Sequence, residues 1–413
     1  MGFRDEAANL YHPESQVPFP MEEYERRRAK VREALAREKI DLLFCSTPES
    51  RCYLTGYVCS YYQSESPKQW LPLSGLAVRQ DDEKVILFDT EEEQVLANSY
   101  TIGTDIRIYR YSSPITELEH ILKSLKQEGW LKGTVGLEMG SYRPNRVVSE
   151  MFQAALEKEG CRVVDAFDIV RDIRAVKSPL EMAYVRTAAK ITDIGMKAAI
   201  EHIRPGMTEI DLRAEIDYAC AKAGGENPAQ PNYVLTGQRT AHPHALASRQ
   251  VIMPGDIVYI DVCGVYHRYH VDTARTLSMG EPHPKVAKQI KLATEAWSTV
   301  LLKTIRPNCP FRELTDAMEE YYKKVGIYED RWWVGGYDLG IAFAPDWPGV
   351  FFYQPTDDPE DQVFLPGMVF NYETAFYLPE RAGLSTTIDT LTITEDSAEL
   401  LTAFPPDPIV IDI

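Results

Sequence analysis

Apolar and polar positions along this chain follow two rhythms, and they give way to one another near residue 175. From Met21, MEEYERRRAKVREALAREKI carries apolar positions at helical spacing inside a dense charged face, which predicts an amphipathic surface helix. The runs DLLFCSTP, LSGLAVRQ, KVILFDT, TDIRIYRY, GTVGLEMG and CRVVDA then recur at strand length, with helical segments such as ELEHILKSLKQEGW between them. This pattern predicts an α/β domain over residues 21–174, preceded by an arm of residues 1–20. At Ser178 a capping box opens: Ser178 is the N-cap, Pro179 fits the first turn and Glu181 closes the box. A long helix follows, with Met182, Val185, Ala188, Ile191, Ile194 and Ala198 predicted to pack inward and Lys190 and Lys197 to face out.

The second domain, residues 175–413, contains an internal repeat. RPGMTEIDLRAEIDYACAKAG from Arg204 and RPNCPFRELTDAMEEYYKKVG from Arg306 both open with Arg-Pro, carry an acid and a Leu at matching offsets and close with Gly. Each reads as a turn, a capped helix and a glycine stop, with strand-like sequence after it. A duplicated αβ half folded about a pseudo-twofold axis would put a site between its halves. Between the copies, PGDIVYIDVCGVYHRYHVDTARTLSMG (254–280) reads as a β-hairpin with Asp261 and Asp272 inside its strands. A carboxylate there costs free energy unless it is paired or bound to a metal. One such acid can sit on a solvated strand face; two on facing strands call for a chemical reason.

Length and charge narrow the partners. The 413 residues allow two or three domains, and the net charge of −18 repels phosphate backbones and anionic lipid, so neither nucleic acid nor membrane is an expected partner. No apolar run approaches the roughly 18 residues of a spanning helix. The opening MGFRDEAANLYHP has no apolar stretch, and Glu6 stands where a myristoylation signal has Ser or Thr, so no targeting segment is expected. Seven scattered cysteines without CxxC pairs are unlike a disulfide framework or a structural zinc site and point to free thiols in a reducing cytosol, although Cys52 and Cys59 are close enough in sequence to pair. No GxGxxG, Walker or GxSxG pattern supports a nucleotide cofactor or a serine nucleophile.

The stretch HALASRQVIMPGDIVYIDVCGVYHRYHVDTART resembles the strand pair of the aminopeptidase P, prolidase and creatinase clan, and the resemblance covers about residues 21–405. It implies a creatinase-like N-terminal α/β domain, a C-terminal pita-bread domain of α/β (α+β) class, hydrolase activity and a homodimer. In the clan's metallopeptidases the two Asp at this spacing are metal ligands, followed by a His, a Glu after a PGM turn and a final Glu. Asp261 and Asp272 match the Asp positions, and LPGMVFNYETAFYLPE puts Glu373 on the third carboxylate. Such a set suits Mn, or Zn and Fe when imidazole joins it.

Two positions depart from that pattern. WVGGYDLGIAF has Tyr337 at the His position with Asp338 beside it, and STTIDTLTIT has Ile388 at the final Glu position with Asp389 next to it. A standard two-metal site would lack both a bridge and an imidazole. A rebuilt site for one divalent metal stays open, because His270 lies two residues before Asp272 on the same strand face and Asp338 could stand in for the His.

Other runs resemble creatinase, a metal-independent hydrolase of C–N bonds in the same clan. RTAAKITDIGMKAAIE has its IxDIG core, and GYVCSYY matches a loop whose aromatic, here Tyr61, reaches into the partner's site. His244, twelve residues before Asp256, matches the catalytic His and is the candidate general acid and base, with His242 the competing candidate on the same presumed strand face. The bland reading of His244 is a hydrogen-bonded structural histidine. The creatinase acid that recognises guanidinium falls on Ala274, so creatine is not the expected substrate. The resulting expectation is hydrolysis of a C–N bond in a small polar or cationic substrate, with Asp261, Asp272 and Glu373 around His244 and with Tyr61, Tyr337, Asp338 and His242 shaping the pocket. The alternatives are a metal-dependent Xaa-Pro peptidase, a lyase of the same fold such as the clan member that cleaves dimethylsulfoniopropionate, and a non-catalytic binding protein. DRWWVGG and WPGVFFYQPTDD cluster aromatics that either line this pocket or belong to plain core.

Overall fold

The computed structural model describes residues 16–60, 62, 73–347, 349, 351–352 and 362–413, in two compact units that divide between Arg174 and Ala175. Tyr61 and most of WPGVFFYQPTDD lie outside the described residues.

The N-terminal unit runs α1 (Met21–Glu38), β1 (Leu42–Cys45), α2 (Pro48–Thr55), β2 (Gly75–Arg79), β3 (Val85–Thr90), α3 (Gln94–Ser99), β4 (Asp105–Tyr109), α4 (Glu117–Gln127), β5 (Thr134–Leu137), α5 (Arg146–Lys158), β6 (Arg162–Asp165) and α6 (Phe167–Ala175). All six of the short apolar runs form strands, in a mixed sheet of order β4-β3-β2-β1-β5-β6. Phe44, Ile86, Phe88 and Val135 from the strands pack with Ile121, Leu125, Val148 and Phe152 from α4 and α5.

The C-terminal unit runs α7 (Pro179–His202), α8 (Glu209–Lys222), β7 (Tyr233–Thr236), β8 (Ile257–Tyr266), β9 (Tyr269–Met279), α9 (Pro284–Ala296), α10 (Phe311–Val325), β10 (Arg331–Asp338), β11 (Phe351–Phe352), β12 (Val369–Leu378), β13 (Gly383–Ile393), β14 (Ala398–Leu400) and β15 (Ile409–Ile411). Among the described residues its strands form one sheet of order β11-β10-β12-β13-β9-β8-β7, with β14 on β13 and β15 on β9. The two repeat copies are α8 and α10, and each lies over one half of this sheet. On one side Ile191 and Met196 of α7 and Leu212 and Ile216 of α8 meet Val258, Ile260, Val262 and Leu277. On the other, Leu314, Met318 and Tyr322 of α10, with Trp297, meet Phe370, Tyr372 and Phe376. The glycine stops hold in both copies, Gly224 at φ +87° and Gly326 at φ +79°, where a side chain would be strained.

The structure corrects two expectations about helices. The Ser178 capping box of α7 forms, and so does one at Thr208 and Asp211 of α8, but α10 starts at Pro310 without a side-chain cap. Ile194 is 43% exposed, because Gly195 and Met196 take the inward positions of α7 instead. A Cβ at Gly195 would stand 2.7 Å from Val262, and one at Gly264 would stand 2.4 Å from the Ala188 carbonyl oxygen. The helix therefore comes down onto β8 where both partners lack side chains, and Thr192 Oγ1 closes the contact by accepting from Gly264 N at 2.9 Å and donating to Val271 O at 2.8 Å.

On this helical face, Arg275 of β9 and Asp389 of β13 form an ion pair at 2.8 Å, with side chains 0% and 1% exposed. Arg275 also donates to the carbonyls of Ala274, Ile388 and Pro405, and Thr402 Oγ1 donates to Asp389 at 2.7 Å. Removing one partner of a buried pair leaves an uncompensated charge, so Asp389→Ala is expected to lower the unfolding free energy by about 3–5 kcal/mol. The apolar double replacement Arg275→Met/Asp389→Leu is expected to cost less, and denaturant unfolding of the two variants beside wild type makes the comparison.

Candidate active site

The predicted hairpin is β8 and β9, joined at His267 and Arg268, whose positive φ values of 47° and 67° give a two-residue turn. Arg268 anchors that turn by donating to the Ala342 carbonyl at 2.8 Å and the Asn227 carbonyl at 2.9 Å. Asp261 pairs with Ala274 and Asp272 with Cys263, so the two acids are diagonal neighbours on one face. Across the sheet, Ala274 pairs with Ile388 and Ile388 with Glu373. One row of the face opposite the helices thus reads Asp261, Ala274, Ile388, Glu373. Two residues along, β10 and β12 pair Tyr337 with Asn371, and the side chains of Asn371 and Thr390 both reach Asp272.

The three carboxylates are brought together, and hydroxyl and amide groups surround them. Tyr259 Oη donates to Asp261 Oδ2 at 2.5 Å, and the carboxyls of Asp261 and Asp272 stand close enough for each to shift the other's titration. Asn371 Nδ2 donates to Glu373 Oε1 at 2.8 Å and to Asp272 Oδ2 at 3.3 Å. Tyr337 reaches Glu373 with its hydroxyl and accepts from Trp347 Nε1 at 3.0 Å. The Oδ1 atoms of both aspartates are buried without a partner. Burial is the largest cause of the shifts: it holds Asp272 well above the usual carboxylate range, with the Asp261 charge adding to it, and it raises Asp261 as well. Burial likewise pushes Glu373 up to about 7, opposed by the hydrogen bond from Tyr337.

The histidines differ from expectation. His244 and His242 are not on a strand; both are exposed in the turn after the short 3-10 segment Gly237–Ala241. The His244 ring stands edge-on to Trp332 at 5.4 Å, and its charge acts on Asp261 and Asp346. Trp332 sits where the β10 register shifts, a bulge that re-aims side chains. His270 is buried, and both ring nitrogens are engaged: Nδ1 bonds the Arg268 carbonyl at 2.7 Å and Nε2 accepts from Ala229 N at 3.0 Å. Burial pushes its imidazole down to about 3, and it has no lone pair left for a metal. Asp338 alternates away from Tyr337 and stands 3.8 Å from the buried Lys177 ammonium, so it does not replace a ligand beside the carboxylates.

Asn371, Tyr259 and Trp347 went unnoticed in the sequence. The first two lie two residues before Glu373 and Asp261, so strand alternation would have put them on the same face as those acids.

This fold with this site defines a hydrolase of the aminopeptidase P, prolidase and creatinase clan. Family models match over residues 27–176 for the creatinase/prolidase N-terminal domain and over residues 183–395 for metallopeptidase family M24. The chain belongs to metallopeptidase family M24. It is similar to the ectoine hydrolase of Halomonas elongata, 30% identical over 410 residues that cover 94% of this chain and 97% of the relative. The Xaa-Pro dipeptidase of Pyrococcus furiosus is 26% identical over 376 residues, covering 91% and 97%. Among solved structures, the X-Pro aminopeptidase from Thermotoga maritima MSB8 shares the fold at a TM-score of 0.77 and 22% identity, covering 93% of this chain and 99% of that one. No helix of the described residues is long and apolar enough to cross a membrane.

The family name carries the expectation of a metal, and the residues present do not fit a dinuclear centre. An isoleucine stands between Glu373 and Ala274, the imidazole position holds a phenol bonded to Trp347, and His270 is spent on backbone. Among the described residues, no three His, Cys, Asp or Glu side chains are grouped to hold a metal ion.

Because Glu373 titrates near 7 in the folded protein and near 4.5 when unfolded, its neutral form is the one the fold favours. Its contribution to stability is present below about pH 4.5 and is lost as pH rises through about 7. Glu373→Gln is therefore expected to lose less thermal midpoint than wild type between pH 5 and pH 8, as scanning calorimetry across that window would record.

Proposed function

We propose that this protein hydrolyses a C–N bond in a small polar or cationic substrate through its own side chains. The observation that carries this reading is the pair of buried, unpartnered Oδ1 atoms on Asp261 and Asp272 beside a row in which Ile388 interrupts the carboxylates. Carboxylate oxygens without donors in a buried face attract an N–H-bearing cation. The ectoine hydrolase relative supports the same class, since ectoine contains a cyclic amidinium. In this reading Asp261 and Asp272 bind the cationic nitrogen group, and Glu373, near half-protonated at neutral pH, takes a proton from the attacking water. Water oxygen bonds to the carbon, the C–N bond breaks, and His244 delivers a proton to the departing nitrogen. Tyr337 and Asn371 hold Glu373 in orientation, and Trp332 backs His244. The reading includes a cytosolic homodimer; all seven cysteines are buried.

The Xaa-Pro dipeptidase relatives supply the rival reading, and one experiment separates the two. Untagged protein purified without chelating resin is analysed for metal, then assayed for amine release from ectoine and from Xaa-Pro dipeptides with and without Mn, Zn or Fe. The expected result is turnover of the amidinium substrate that is insensitive to chelator, with His244→Ala slower by roughly two to four orders of magnitude. One metal per chain with metal-activated cleavage of Xaa-Pro dipeptides would overturn it.

A further inference from the structure

Two carboxylates held side by side in a buried site need something between them that carries positive charge or donates hydrogen bonds. For Asp272 and Glu373 that group is the Asn371 side chain. Its Nδ2 donates to Glu373 Oε1 at 2.8 Å and to Asp272 Oδ2 at 3.3 Å, so the two N–H bonds of one amide go to two different acids. The amide cannot turn over without loss, because Oδ1 accepts the backbone N–H of Tyr337 at 3.1 Å on the neighbouring strand. Asn371 is fully buried, and its position is set by the register that pairs it with Tyr337 on one side and Thr390 on the other. The sheet itself therefore fixes which way the NH2 group points.

We infer that Asn371 is a positioning residue whose amide takes the bridging place between Asp272 and Glu373 that a cation would otherwise fill, which makes this member of the family independent of a bridging metal. A neutral donor in that place does two things a metal ion would not. It leaves the buried Oδ1 atoms of Asp261 and Asp272, which have no hydrogen-bond partner, available to a substrate cation, and it orients the Glu373 oxygens without lowering their basicity as strongly as a divalent charge. The inference deepens the proposed reading and rests on it for the identity of the pocket, but its own content concerns the bridge.

The test compares wild type with Asn371→Asp and Asn371→Ala, using Mn²⁺ and acetamidinium as calorimetric probes, with the thermal midpoint recorded to identify any variant that fails to fold. Asn371→Asp keeps the shape, removes both N–H donors and adds a third acid to the pair, so a cation becomes the only available bridge. The expected result is that Asn371→Asp binds Mn²⁺ at least tenfold more tightly than wild type, and that Asn371→Ala weakens acetamidinium binding at least tenfold. Micromolar, stoichiometric Mn²⁺ binding by wild type would overturn the inference, and so would unchanged Mn²⁺ affinity in a folded Asn371→Asp. Failure of the hydrolytic reading is distinguishable: His244→Ala would then leave turnover intact whatever the Mn²⁺ titrations return.

Discussion

The cost of burying like charges on one face of one sheet governs the C-terminal unit. Asp261, Asp272 and Glu373 arrive from β8, β9 and β12 and stand together out of bulk water. Three ionised carboxylates there would repel one another by several kcal/mol at low effective dielectric. Burial favours the neutral forms of these acids, and donors that carry no net charge, namely the Tyr259 and Tyr337 hydroxyls and the Asn371 amide, lower the cost further. On the reverse face of the same strands the opposite solution is used. Arg275 and Asp389 neutralise each other completely and have their remaining valences met by carbonyls and Thr402. Strand alternation keeps the two arrangements apart, since moving β8, β9 or β12 by one residue would put its acid against the helices, and moving β9 would also bring Arg275 onto the site face.

The duplicated half explains why a site forms at this point in the sheet. Each helix pair covers one side of the helical face, and the halves join at β13 and β9, where only Ile388 with Ala274 and Asp389 with Thr273 are in register. Thr390 Oγ1 takes over there by bonding both the amide and the carbonyl of Asp272. A short junction of this kind lets residues from both halves meet on one face of the sheet while the helices behind them stay firmly packed. The close seat of α7 on Gly264 supplies that firmness for the strand carrying Asp261.

Much of this was legible in the chain, and the misses share a cause. The strand runs, the hairpin, the capping box of α7 and the pairing of Asp261 with Asp272 follow from local chemistry and period, whereas Glu373 joins them only through the resemblance to the clan. His270 and Asp338 were misread because their neighbours in space come from elsewhere in the sequence. Ala229 N–H, forty-one residues before His270, occupies its second nitrogen, and Lys177 draws Asp338 to the other face. Ile194 lost the inward position to Gly195 because close packing on β8 rewards a missing side chain over an apolar one, which a hydrophobicity pattern does not register. The turn carrying His244 was read as a strand, although its edge-on contact with Trp332 depends on a bulge that no short-range signal specifies.

Family membership and chemistry separate at two positions. The chain has the family M24 fold, and by the resemblance noted in its sequence Ile388 and Tyr337 stand at two of the positions where metallopeptidases of the clan carry ligands. An isoleucine removes a charge that a metal would need, and it also removes one that would repel the remaining acids; a phenol in place of an imidazole keeps a hydrogen bond to Glu373 while giving up a lone pair suited to zinc. Each change makes the other easier to accommodate, because with fewer charges to neutralise, neutral donors suffice. Between Asp272 and Glu373 the hydrogen-bonding positions are taken by the Asn371 amide, a neutral donor to both acids.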